Sequence, residues 1–392
     1  MRRATLLAPP LTAAVAALAA CGGGPTPRVA PPAAPQPARG TPAAHGAGHK
    51  THVWRMPPVL RHDDVYAAAH AGMLSPAVRH DPPRIYVPNS QSNTVDEIDP
   101  RTYRVVRHIR TGALPQHVTP SWDLKTLWVD NDMGNSLTRI DPRTGRAGRT
   151  VRVADPYNLY FTPNGRYAMV VAERLKRIDF RDSHSMRVHR AVRVPCPGAD
   201  HMDFTADGRL ALVSCEFGAR MIVLDVAHER VIRSVPLRAG SMPQDVKLAP
   251  DGRLFYVADM ASNGVWIIDA HSFRLKRLLP TGRGAHGLYP SRDSRFLYVS
   301  NRAEGSISVV SFATHRVKRK WVLPGGGSPD MGGVSVDGRV LWLSGRYDSE
   351  VYAISTRTGR LIKRIRVGSG PHGLSVFPQP GRYSLGHTGV TR

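Results

Sequence analysis

The feature that most constrains this chain is a phrase that returns. Asp251-Gly252-Arg253 leads into the apolar run Leu254-Phe255-Tyr256-Val257-Ala258-Asp259, and after a short polar loop comes Gly264-Val265-Trp266-Ile267-Ile268-Asp269. The turn recurs as Asn164-Gly165-Arg166, Asp207-Gly208-Arg209 and Asp337-Gly338-Arg339, with degenerate copies at Trp122-Asp123 and Arg292-Asp293. The spacing is about 43 residues, that of one propeller blade. Asn-Gly and Asp-Gly between apolar runs predict two-residue hairpins, whose central residues need positive φ. The strand after the turn reads LWVDN from Leu127, LVSCE from Leu212, FYVAD from Phe255, LYVSN from Leu297 and LWLSG from Leu341, and the array begins on IYVPN from Ile85.

Seven copies predict an all-β chain: a seven-bladed β-propeller of four-stranded antiparallel blades over residues 84–378. In the fifth copy the strands are expected at Asp245 to Leu248, Leu254 to Ala258, Val265 to Ile268 and Phe273 to Leu279. An open solenoid would need polar end caps, and none is visible. The first copy lacks its first strand, and the chain ends on an orphan strand, Gly373-Leu374-Ser375-Val376-Phe377. N- and C-terminal strands sharing one blade would close the ring and remove both edges. Residues 379–392 then read as a tail over that joint.

Upstream, Met1-Arg2-Arg3 and the Ala/Leu-rich residues to 20 read as a signal peptide, too short and too interrupted by Pro9-Pro10 to span a membrane. Its ending, Leu18-Ala19-Ala20-Cys21-Gly22, resembles a bacterial lipobox. That resemblance implies lipidation at Cys21 and a protein exported to the outer face of the cytoplasmic membrane, with secreted or periplasmic release as the alternative. Residues 21–50 are Pro, Ala, Gly and Thr with almost no large apolar side chain, a disordered tether. Residues 51–83 regain apolar residues and are expected to pack on the propeller, with a short helix from Asp63-Asp64 through Ala71. Their histidines, His52, His62, His70 and His80, lack ligand spacing and read as solvated.

Tyr86-Val87-Pro88-Asn89 followed by Val95-Asp96-Glu97-Ile98-Asp99 resembles the YVTN-repeat bacterial β-propellers over about residues 84–378. The resemblance implies a monomeric propeller and spans binding proteins, lactonases and redox-cofactor propellers, so function must come from the site.

The residues entering the innermost strands are Gln116-His117, Tyr157-Asn158, Asp200-His201, Gln244-Asp245, His286-Gly287, Asp330-Met331 and His372-Gly373. These equivalent positions converge on one axis, a polar channel mouth that is the candidate ligand site. His117, His201, His286 and His372 are the candidate ligands for a transition metal; the same ring also suits polar-ligand recognition or a merely hydrated channel. Second-strand ends add Asn89, Asp130, Glu173, Glu216, Asp259 and Asn301 to that face. Alternating side chains leave open whether the histidines face the axis, since one step of register reverses the choice.

The net charge is +24. The outermost strands carry much of it, at Arg104, Arg107 and Arg110, Arg187, Arg190 and Arg193, Arg274, Lys276 and Arg277, Arg316, Lys318, Arg319 and Lys320, and Lys363, Arg364 and Arg366. This rim is expected to favour anionic envelope polymer, lipid headgroups or nucleic acid. Cys196 and Cys215 sit where neighbouring strand ends meet and predict a disulfide in an oxidising compartment. The competing arrangement is a soft-metal site of Cys196, Cys215 and His201, without C-x-x-C spacing. There is no G-x-S-x-G, H-E-x-x-H, Walker or C-x-x-C-H motif, and Gly325-Gly326-Gly327 precedes a strand rather than a helix. The sequence therefore favours a cell-envelope binding or scaffolding protein acting through the mouth. The alternative is an enzyme or cofactor carrier, lactonase-like or redox, using the same residues.

Overall fold

The computed structural model describes residues 56–392. The signal-like segment, Cys21, the tether, His52 and Trp54 lie outside the described residues. Seven four-stranded antiparallel sheets form the ring. The innermost strands are Ser375–Phe377, Pro115–Pro120, Asn158–Phe161, Ala199–Phe204, Pro243–Leu248, Ala285–Pro290 and Pro329–Val334. Blade 1 is the shared one: Ser375–Phe377 pairs with Arg84–Asn89 through Arg84↔Phe377, Ile85↔Val376 and Tyr86↔Ser375.

The turn phrase folds differently from its expected two-residue form. Ala249 N donates to Leu254 O around a four-residue loop, and Gly252 there has φ +72° while Asp251 does not enter the left-handed region. Asp251 contributes through its side chain, accepting the Arg253 N–H at 3.0 Å. Both residues of Asp-Gly are thus needed, the first as a local acceptor and only the second for its backbone.

Apolar residues of the middle strands pack between blades. Leu212, Val223, Val246, Phe255, Val257 and Ile268, for example, share one buried cluster joining blades 4 and 5. Each such side chain contributes about 1.5–3 kcal/mol. Repetition around the ring means that no single blade carries the core.

Residues 56–83 lie across the end of the ring where innermost strands leave. Tyr66 donates its hydroxyl to Leu248 O at 2.8 Å, Val65 N donates to Pro250 O, and Gly72 N donates to Val336 O. The expected helix is only a 3₁₀ turn, Ala67–Ala69. Asp64 accepts the Tyr66 N–H at 2.9 Å at the start of this turn, and its carboxylate also accepts from Ser294 and meets His70 at 2.7 Å. His62 and His80 are exposed.

The tail departs further from expectation. It runs beyond the blade 1 joint and crosses the same end of the channel as a hairpin, with Leu385 N donating to Val390 O and Arg392 N donating to Tyr383 O. Tyr383 stacks on Trp122, and the fully buried Arg392 guanidinium donates to Asp203 Oδ1 and Phe204 O. One end of the channel is therefore sealed by segments outside the repeat, and the other end remains the mouth.

Candidate metal centre in the channel

In five blades the first inner-strand residues skip their pairing with the second strand. The register shifts between Pro115 and Val118, Ala199 and Met202, Pro243 and Val246, Ala285 and Leu288, and Pro329 and Gly332. Such a bulge lets two consecutive residues turn to one side. Serines on the second strand capture the freed backbone groups: Ser214 accepts His201 N–H at 2.9 Å, Ser300 accepts Gly287 N–H at 2.8 Å, and Ser344 accepts Met331 N–H at 3.2 Å. Either position of a pair can therefore supply an axial side chain. His286 and His372 come from the first position and His117 and His201 from the second, yet the His117 and His372 rings lie 4.9 Å apart and those of His201 and His286 6.3 Å apart.

A fifth imidazole comes from the tail. The hairpin tip Gly386-His387-Thr388-Gly389 enters the channel along the inward edge of the blade 3 inner strand, with Phe161 N donating to Leu385 O and His387 N donating to Leu159 O. Gly386 permits this approach; it has φ +102°, and a Cβ there would lie 2.4 Å from Tyr160 Cα. His387 stacks on Tyr160 and packs 4.8 Å from the His201 ring and 5.0 Å from that of His117.

His117, His201 and His387 are fully buried, and in each the Nε2 has no hydrogen-bond partner among the described residues. Each Nδ1 is met by a fixed polar group. That of His117 donates to Tyr157 O at 2.9 Å, that of His201 lies 2.8 Å from Asp200 Oδ1, and that of His387 lies 3.4 Å from Asn158 Oδ1 and 3.2 Å from Nδ2. In His117 the carbonyl partner holds the proton on Nδ1 and leaves the Nε2 lone pair free, as in histidines that bind metals. Burial holds His117 and His387 well below the usual histidine range, so both are neutral at pH 7. Burial also pushes His201 down, and the adjacent Asp200 carboxylate more than offsets it.

The ligand atoms of this triad lie within 4.8 Å of one another, as do those of His286, Asp330 and His372. A tetrahedron with bonds of 2.0–2.1 Å has edges of about 3.4 Å, so an ion asks for rotamer shifts of the order of an ångström. Imidazole and mixed imidazole–carboxylate sets suit zinc, copper, iron or nickel.

The other mouth residues divide. Gln116 and Gln244 occupy the first position, with Gln116 Oε1 buried and unpartnered. Asp245 is structural: it accepts from Lys247 Nζ at 2.8 Å and from Leu288 N at 2.9 Å, clamping two blades. Met331 is buried under Tyr289. Of the second-strand ends, Asn89 and Asn301 are spent on local hydroxyls, Asp259 accepts from Met242 N and Trp266 Nε1, and Asp130 is buried beside Thr119. Only Glu173 and Glu216 remain half-buried at the mouth. Burial, together with the Asp200 charge, pushes Glu173 up to about 8 and Glu216 up to about 7. The disulfide joins Cys196 to Cys215 beside Asp200-His201, Cα to Cα 6.0 Å, which removes both thiols from the soft-metal alternative.

A model of the family described as YNCE-like beta-propeller matches residues 64–380. No curated protein matches the chain. Solved structures of similar fold include a functionally unknown protein from Desulfotomaculum acetoxidans, with TM-score 0.63, 15% identity, and coverage of 75% of this chain and 98% of that one. The dihydro-heme d1 dehydrogenase NirN gives TM-score 0.60 and 15% identity over 82% of each chain. Kuenenia stuttgartiensis hydrazine synthase gives TM-score 0.58 and 18% identity over 69% of this chain and 91% of that one. At these identities the likeness is one of fold.

Proposed function

Because the chain belongs to the YNCE-like beta-propeller family, a relation that fixes the fold and leaves the chemistry to the site, we propose that it is a metal-centre propeller. His117, His201 and His387 hold a transition-metal ion in the channel, and a small polar ligand reaches it from the mouth. The observation that carries this is the set of three buried Nε2 atoms without partners among the described residues, on three rings whose ligand atoms lie within 4.8 Å of one another. A merely hydrated channel or a macromolecular scaffold gives no reason for the tail to insert a histidine into that set. Orphaned buried polar atoms cost about 1–3 kcal/mol each, a cost that a ligated ion removes.

Three histidines leave the remaining coordination positions of an ion for water or ligand. Glu173, mostly protonated at neutral pH, and Glu216, divided between its two forms there, can hold or pass a proton at the entrance. Together these features support the enzyme or cofactor-carrier alternative over the empty scaffold, with metal-activated water as the simplest chemistry.

The test is elemental analysis of the full chain purified without chelator, beside His117→Ala/His201→Ala, with thermal melts in added Zn²⁺, Cu²⁺ or Co²⁺. Near-stoichiometric metal in the wild type, lost in the variant, is expected. No metal in the wild type, together with melting temperatures indifferent to all three ions, would sink the reading.

A further inference from the structure

We infer that the channel holds two metal ions side by side, the second bound by His286, His372 and Asp330. This rests on the metal-centre reading above and deepens it from a single ion to a dinuclear centre. His286 and His372 are 3% exposed and Asp330 is fully buried, beside the triad. Their donor atoms approach one another without forming directed hydrogen bonds. His286 Nδ1 is 3.0 Å from Asp330 Oδ1 and His372 Nε2 is 3.5 Å from Asp330 Oδ2, yet His286 Nδ1 and Asp330 Oδ2 have no hydrogen-bond partner among the described residues. Lone pairs gathered at this range and misaligned for hydrogen bonding form the donor set of a cation, and this one offers two nitrogens and an oxygen.

The carboxylate is prepared for that role. Arg302 donates to Asp330 Oδ1 at 3.1 Å, which anchors one oxygen and leaves Oδ2 turned to His372. Such an outer-shell contact orients a ligating carboxylate. Adjacency to the first ion follows from the rings: His372 packs 4.9 Å from His117, and His286 packs 6.3 Å from His201. Two neighbouring dications repel, and the buried carboxylates of Asp200, beside the first set, and Asp330, within the second, supply the opposing charge. Two ions held here would be placed to clamp one small ligand between them, with imidazoles as the main donors. Gly287 and Gly373 keep the space open, since a Cβ at Gly287 would meet the Tyr289 hydroxyl at 2.3 Å and one at Gly373 would meet His117 Cδ2 at 2.1 Å.

The experiment is a titration of the full metal-free chain with Co²⁺, followed by its visible absorption and by equilibrium dialysis, in the wild type and in His286→Gln/His372→Gln. Two equivalents bound by the wild type and one by the double variant are expected. Saturation of the wild type at one equivalent overturns the second ion and leaves the triad standing, whereas no binding removes both. Two equivalents in the double variant also overturn it, by placing the second ion elsewhere. Because glutamine variants can misfold, a wild-type measurement stands beside them: Cu²⁺ resonance spectra at one and two equivalents. Loss or broadening of the isolated-ion signal at the second equivalent is expected, and two full-intensity isolated signals would refute adjacency.

Discussion

The two ends of the channel are built on opposite principles. The mouth end is repetition: the same inner-strand positions deliver His117, His201, His286 and Asp330 through the same bulge, and His372 from the equivalent, unbulged position of blade 1. The far end is improvisation, where residues 56–83 and a C-terminal hairpin that matches no blade seal the channel. Yet the site needs both, because the third imidazole of the deeper triad comes from the hairpin. A propeller's repeats can present donors around an axis, but they do not reach along it, and a non-repeated segment does.

Removing the far-end contribution should have the largest effect on the site. A chain truncated after Pro380 loses His387 together with the buried Tyr383, Leu385 and Val390. It should bind the first ion at least about a hundredfold more weakly, the upper range for losing a partner that only orients a ligand. It should also melt at a lower temperature than the wild type. His387→Ala separates the two effects, since it should lose the affinity and keep most of the melting temperature. Competition for Zn²⁺ against a chromophoric chelator reads the first quantity and calorimetry the second. Unchanged Zn²⁺ affinity in His387→Ala would make the hairpin a plug and nothing more.

That asymmetry also marks what was legible in the sequence. Gln116-His117, Asp200-His201, His286-Gly287, Asp330-Met331 and His372-Gly373 stand out because each falls at one phase of a repeat that is visible without coordinates. His387 belongs to no repeat. Its signal was the pair of glycines around Gly386-His387-Thr388-Gly389, the backbone freedom a tight insertion requires, in a tail expected only to cover the blade 1 joint. Strict strand alternation could not say which residue of each pair faced inward, because the bulge breaks the alternation. The serines of LVSCE, LYVSN and LWLSG were the trace of it, since Ser214, Ser300 and Ser344 take the hydrogen bonds that the bulge frees. The second-strand acids divide, since Asp259 and Asp130 answer to their own loops and strands while Glu173 and Glu216 stay half-buried at the mouth.

Within the repeated half, a smaller change tests whether the mouth depends on empty space as much as on donors. The His117 ring lies against Gly373, where a Cβ would come within 2.1 Å of Cδ2. Gly373→Ala must therefore displace the ring, and a misoriented ligand weakens binding by about 10- to 100-fold. The backbone of Gly373 stays out of the left-handed region, so the substitution adds crowding without a forbidden conformation. Chelator competition for Zn²⁺ checks it, and an affinity within twofold of the wild type would show that His117 has room to spare.

The smallest effect on the site should come from the Cys196–Cys215 bond, although it lies nearest to Asp200-His201. The bulge at His201 is held independently, with Ser214 accepting His201 N–H and donating to His201 O. The disulfide instead closes a loop across 19 positions, which by chain entropy stabilises the fold by about 3 kcal/mol. Cys196→Ser/Cys215→Ser should thus lower the denaturant midpoint by that order while Zn²⁺ affinity stays within about threefold. If affinity fell with stability, the bond would be part of the site's own scaffold. The repeated half would then need reinforcement from outside the repeat, as the far end does.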